Sequence, residues 1–278
     1  RKSSGRRATR YDCPTRREAC AVPCAESGPH ASLPVIPHAS YISGLGNNDY
    51  AKFPGVDPRD AAALGRIRTG VVSLAAGTSP KPAMLALLTP TDPLWVETAA
   101  ANLPALLSDH AHREIKAAQS ALSLVARYAG EMPSLVEPLS ALAREESEHF
   151  RLVHEQLHKR TQRLGMPASD GYVTKLAAAA RENRHGDVPA LLDKLLVAAL
   201  IEGRSCERFR LLAEQLPQAD LREFYRDLMV SEARHFTLFC SLAADGFGRE
   251  ASRTRLATLA LREAEIVKHL SVGPQVHG

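Results

Sequence analysis

From Met84 onward, apolar residues recur every three or four positions, the spacing of helices that bury one face. The alternating β-branched runs that mark strands are absent. Thr91-Asp92-Pro93 reads as a helix start, with proline at the first helical position. The pattern predicts a short helix over 93–101 and a long one over 104–129, stopped by Gly130 and Pro133. A second long helix is expected over 134–164, ended by Gly165 and Pro167. The connection that follows, 165–186, carries a short helix near 174–183. Asp187 is expected to cap a third long helix reaching Gln215, and after Pro217 a fourth runs over 219–244. Gly246 and Gly248 are expected to break it before a last helix over 249–270. Two helical hairpins joined by a long crossover give an all-α four-helix bundle with extra flanking helices.

Residues 1–83 carry no such period. Gly, Pro, Ser and Arg are scattered through them, with 12 Lys/Arg against 6 Asp/Glu. The remainder holds 23 against 25, so the net charge of +4 belongs to the N-terminal third. That third is expected to be a disordered extension, either foreign to the natural product or a genuine basic tail, and 84–278 the folded domain. Cys13, Cys20 and Cys24 cluster there without a fourth ligand at zinc-finger spacing. No apolar run approaches the roughly 18 residues of a membrane helix. The basic stretch 1–17 has no apolar segment after it, as a signal peptide would. The expectation is a cytoplasmic protein with no membrane partner.

The chemistry sits at matching places in the two hairpins. Glu146-x-x-His149 and Glu232-x-x-His235 each set a carboxylate and an imidazole one turn apart on a helix face. The spacing alone says little, because the chain has four such matches, including Glu155-x-x-His158 and Glu182-x-x-His185. Periodicity separates them. His149 lies in the stripe Leu139, Leu142, Phe150, Val153, Leu157, and His235 in Tyr225, Leu228, Phe236, Phe239, Leu242. Glu155 falls about 180° round the helix from Glu146, facing solvent, and the Glu182 match runs into the Gly186 break.

Each preceding helix buries one more carboxylate. Glu114 lies in the stripe Leu107, Ala111, Ala118, Ala121, Val125, and Glu202 in Leu191, Leu195, Ala198, Cys206, Phe209. Glu114 precedes Glu146 by 32 residues and Glu202 precedes Glu232 by 30, so the set repeats internally. Glu207 competes with Glu202 but breaks that symmetry; Glu145 and Glu148 read as surface charges flanking the motif. Tyr225, Cys206 and Cys240 fall near the same level and read as packing. Four buried carboxylates repel and are costly to desolvate, and two divalent cations would remove both penalties. Carboxylate-rich ligation with one imidazole per metal suits iron or manganese.

The ligand set resembles that of the ferritin-like di-iron and di-manganese carboxylate proteins. Longer strings narrow the likeness. Leu88-Thr89-Pro90-Thr91-Asp92-Pro93-Leu94-Trp95, Asp109-His110-Ala111-His112-Arg113-Glu114, Ile201-Glu202-Gly203-Arg204-Ser205-Cys206-Glu207-Arg208-Phe209 and Ser231-Glu232-Ala233-Arg234-His235-Phe236 carry it. Over about 85–270 they resemble the bacterial tRNA hydroxylases that act on 2-methylthio-N6-isopentenyladenosine beside the anticodon. The resemblance implies a non-haem di-iron monooxygenase that uses O2, two iron ions and an external electron donor, from an unidentified partner, to hydroxylate the prenyl side chain. It implies Glu114, Glu146 and His149 for one iron and Glu202, Glu232 and His235 for the other; which two glutamates bridge is not legible in the sequence, and Glu146 and Glu232 are favoured only as members of the paired motifs.

Arg113, Lys116, Arg204, Arg208 and Arg210 stand near the two glutamate-only helices and are candidates for a phosphate track, or for a solvated face. Ala117, Ala118 and Ala121 leave room beside Glu114, for a prenyl group or simply for close helix packing. The competing classes are a ferroxidase, an acyl-chain oxidase with the same kind of site, and a non-enzymatic helical module.

Overall fold

The computed structural model describes residues 85–278 apart from His185 and Asp187. The expected extension over 1–83 with its three cysteines, the cap at Asp187 and the imidazole of the Glu182 match therefore lie outside the described residues. Seven α-helices and no strand occur among the described residues: α1 Leu94–Ala101, α2 Leu103–Tyr128, α3 Val136–Lys159, α4 Gly171–Glu182, α5 Ala190–Gln215, α6 Ala219–Phe247 and α7 Arg249–Lys268. A 3-10 turn, Pro133–Leu135, leads into α3. The tightest pairings are α2 with α3 and α5 with α6, the two hairpins; α4 and α7 pack on α5 from outside.

Three boundaries differ from the pattern-based reading. Helix α3 ends at Lys159 rather than near 164. Thr161 takes a left-handed φ of 55°, its N–H bonds His158 O, and the Gln162 N–H bonds Leu157 O. That paired closure satisfies the last carbonyls, and a threonine in the glycine-type position gives no warning in sequence. Helix α4 starts at Gly171 because the Asp170 carboxylate accepts from the Val173 N–H at 2.8 Å. Helix α6 passes through Gly246 to Phe247 and breaks at Gly248, whose φ is 88°. Gly246 serves close approach, since a Cβ there would meet Met132 at 2.7 Å.

Two apolar clusters fill the bundle. One holds Ala118, Ala121, Leu124 of α2, Leu139, Leu142 of α3, Leu195, Leu200 of α5 and Phe239, Leu242 of α6. The other holds Leu106, Leu107, Ala111 of α2, Val153, Leu157 of α3, Phe209, Leu212 of α5 and Leu221, Tyr225, Leu228 of α6. On every long helix the two sets are separated by the level of 114, 146–149, 202 and 232–235. A polar layer therefore divides the core; the two helices of each hairpin cross it in opposite directions, while α3 and α5, joined by the crossover, cross it in the same one.

Candidate metal centre

Glu114, Glu146, His149, Glu202, Glu232 and His235 are all buried in that layer. They form two overlapping groups, Glu114–Glu146–His149–Glu232 and Glu146–Glu202–Glu232–His235, whose donor atoms lie within 4.8 Å of one another in each. Glu146 and Glu232 belong to both groups. Both imidazoles turn Nδ1 inward. His149 Nδ1 is 3.2 Å from Glu146 Oε2 and 3.7 Å from Glu114 Oε2. His235 Nδ1 is 2.9 Å from Glu146 Oε1 and 3.9 Å from Glu232 Oε1. The two rings stand 5.8 Å apart.

Unlike the six, Glu155 and His158 lie outside the layer; Glu155 pairs with Arg151 and Lys159 and His158 is exposed. Glu207 is buried, but its carboxylate is taken by Arg204 and by the Thr91 N–H and hydroxyl at 3.1 and 2.6 Å. Cys206 donates to Met229 O at 3.3 Å.

Burial dominates the electrostatics. It raises the Glu232 carboxyl well above its ordinary range, helped by Glu202, and raises Glu146 to about 7, helped by Glu114. Burial also works against the charged imidazoles, yet the carboxylates around them win. Glu114 and Glu146 lift His149 to about 9, and Glu145 and Glu146 lift His235 to about 10. Burial would raise Glu114 too, but the adjacent His110 holds it well below the carboxylate range. A cluster that traps protons in this way lacks positive charge. Glu146 Oε1 and His235 Nδ1 show it directly, both buried, facing each other, and without a hydrogen-bond partner among the described residues. Hard carboxylate oxygens with one imidazole per group fit two divalent transition-metal ions, and the set fits a di-iron site.

Two neighbours of the six were not singled out from sequence. Glu145, read there as a surface charge, is half-buried. Its carboxylate lies against both outward imidazole nitrogens, 3.8 Å from His149 Nε2 and 3.3 Å from His235 Nε2, and pairs with Arg234 at 2.6 Å. The His235 contact leads in holding it down to about 2. A carboxylate behind a ligating imidazole fixes which nitrogen faces the metal. His110, fully buried, contacts Glu114 at 2.5 Å, and the Tyr225 hydroxyl reaches its other nitrogen at 3.3 Å. Burial raises the Tyr225 phenol far above its usual range, so it stays protonated.

The proposed phosphate track is corrected by burial. Arg204 is fully buried and donates to Glu263 at 2.7 Å, to Glu207 and to Thr89 O. Arg208 lies over the Trp95 ring and donates to Val276 O. Arg113 pairs with Asp109 and Asp170. Arg204 and Arg208 tie the 89–91 segment and the C-terminal tail to α5, and Arg113 ties α2 to Asp170 at the start of α4, because a guanidinium removed from water must be paired. Arg210 pairs with Glu214, and Lys116 is exposed. Ala118 and Ala121 sit in the apolar cluster next to the layer. No helix among the described residues is long and apolar enough to cross a membrane.

Comparison with known proteins agrees with this picture. A family model described as tRNA-(MS[2]IO[6]A)-hydroxylase (MiaE) matches residues 78–278. The tRNA 2-(methylsulfanyl)-N(6)-isopentenyladenosine(37) hydroxylase of Pseudomonas putida is 40% identical, over 64% of this chain and 83% of its own length. The hydroxylase of the same name from Salmonella typhimurium is 33% identical, over 55% of this chain and 73% of its own. Among solved structures, a Synechococcus protein described as having aldehyde deformylating oxygenase activity is 44% identical. It superposes with a TM-score of 0.64 over 69% of this chain and 95% of its own.

Proposed function

The chain belongs to the tRNA-(MS[2]IO[6]A)-hydroxylase family, and from that premise we propose that it hydroxylates the isopentenyl side chain of 2-methylthio-N6-isopentenyladenosine in tRNA through a carboxylate-bridged di-iron centre. The observation that carries the metal part is the pair of overlapping buried groups that share Glu146 and Glu232. Glu114 and His149 would complete one site, Glu202 and His235 the other, with Glu146 and Glu232 common to both.

Iron held there supplies reductive activation of O2, so that one oxygen atom enters a C–H bond and the other leaves as water, using two electrons and two protons from outside the chain. The protein's own residues do the rest. Nδ1 of each histidine faces the centre while Glu145 stands against both Nε2 atoms, which keeps a lone pair directed inward. The apolar clusters on either side keep bulk water from the layer. The target base is unpaired in an anticodon loop, so its presentation needs no duplex opening. The electron donor would be a separate protein or reductant.

The test is nucleoside analysis of tRNA carrying the prenylated base, incubated with reduced, iron-loaded protein and O2. A gain of one oxygen atom on that nucleoside is expected. The name of the Synechococcus relative favours a second reading, oxygenase deformylation of an aldehyde in the same kind of bundle. Deformylation of an aldehyde without change in the tRNA would select it.

A further inference from the structure

The internal repeat pairs Glu114 with Glu202, 88 residues on, and the same offset carries His110 to Ala198. His110 stands one turn before Glu114 and makes a hydrogen bond to it; the methyl of Ala198 can make none to Glu202. The carboxylates beside Glu202 are Glu232 and Glu146, both in the cluster.

His110 is held on several sides. Its ring stacks on Tyr225 with centroids 5.5 Å apart and an interplanar angle of 21°, and lies tilted against Phe209 at 4.7 Å. Tyr225, from α6, is fully buried, and its hydroxyl has the His110 Nδ1 3.3 Å away. One donor order satisfies all three groups. The Tyr225 hydroxyl donates to Nδ1, and Nε2–H donates to Glu114 Oε1 at 2.5 Å. The other oxygen of Glu114, Oε2, is the one turned toward His149 Nδ1, 3.7 Å away.

We infer that His110, backed by Tyr225, is a positioning residue that ties one oxygen of Glu114, so that Glu114 offers the centre a single oxygen while Glu202 keeps both. The two metal positions are then inequivalent by construction, the Glu114 position carrying fewer protein donors and more room for an exogenous ligand. The inference rests on the di-iron reading above.

Anaerobic titration of the metal-free protein with Fe2+ tests it, together with Mössbauer spectra of the 57Fe-loaded protein. In the unsubstituted protein two ions bind and give two distinguishable ferrous signals. His110→Ala should change the affinity of one ion by about 10- to 100-fold, and shift one signal, leaving the other ion and signal as they were. Tyr225→Phe keeps the ring packing, and should move the same signal by less; it carries the test if His110→Ala does not fold by circular dichroism. Equal effects on both ions, or none on either, would overturn the positioning role. Unsubstituted protein that takes up no metal would overturn the di-iron reading and this inference with it.

Discussion

Loading the metal-free protein with a divalent cation should release at least two protons per chain near pH 7. The carboxylates lift His149 to about 9 and His235 to about 10, so both imidazoles are charged at neutral pH until metal displaces their protons. When two protons leave for two ions bound, the overall binding constant rises roughly 100-fold per pH unit, or about 3 kcal/mol. The dependence should be at least that steep from about pH 6.5 to 8.5 and flatten above the imidazole values. Glu146, raised to about 7, and Glu232, which burial also raises, should add to the count, most at the acid end. Calorimetric titration with Mn2+ in two buffers of different ionisation enthalpy counts the protons directly. The metal-free fold has a matching signature. The stabilisation from a raised imidazole is complete below its unfolded value near 6.5 and is lost as pH climbs through about 9 and 10. Metal-free protein should therefore melt at progressively lower temperature from pH 7 to 10, and metal-loaded protein should not. Release of fewer than about one proton, with affinity flat between pH 6.5 and 8, would refute the reasoning.

Three further outcomes follow from the same geometry. His149→Ala should cost one bound ion by elemental analysis, whereas His158→Ala should leave the metal content unchanged; equal losses would mean the helix faces are misassigned. Arg204→Met leaves Glu263 and Glu207 without their buried cation and should destabilise the fold by about 3–5 kcal/mol in denaturant titrations. Ala118→Phe should abolish prenyl hydroxylation while both ions stay bound, and full activity would remove the substrate pocket from beside Glu114.

The bundle and its six inward-facing ligand candidates were legible because both are periodic. The apolar stripes define helix faces, and the 32- and 30-residue spacings repeat the same level in each hairpin. What escaped depends on contacts that period does not encode. Glu145 sits only about 100° round the helix from Glu146, on a face that reads as solvent, yet α6 brings His235 and Arg234 to it. Arg204 and Arg208 read as surface cations because exposure is the usual fate of arginine; their partners Thr89, Glu263 and Val276 stand 59 to 115 residues away. His110 did leave a trace, four residues before Glu114 on the same stripe, where an imidazole and a carboxylate on one buried face meet. The early end of α3 left none, since Thr161 carries no preference for the left-handed turn it makes.

One stretch of α5 has a consequence for tolerance to change. Residues 202 to 209 are all buried, eight in succession, so for more than two turns this helix has no wet side. The reasons differ around the barrel of the helix. Glu202 faces the polar layer, Gly203 admits the backbone of Leu85 to 3.2 Å from where its Cβ would stand, Arg204 and Arg208 hold distant strands of chain, and Phe209 packs on His110. In an ordinary amphipathic helix a saturation scan would show permissive positions returning every three or four residues. Here the scan should show an unbroken block in which even conservative exchanges lower the yield of folded protein. Drift at the surface would leave such a block as the most legible part of the chain.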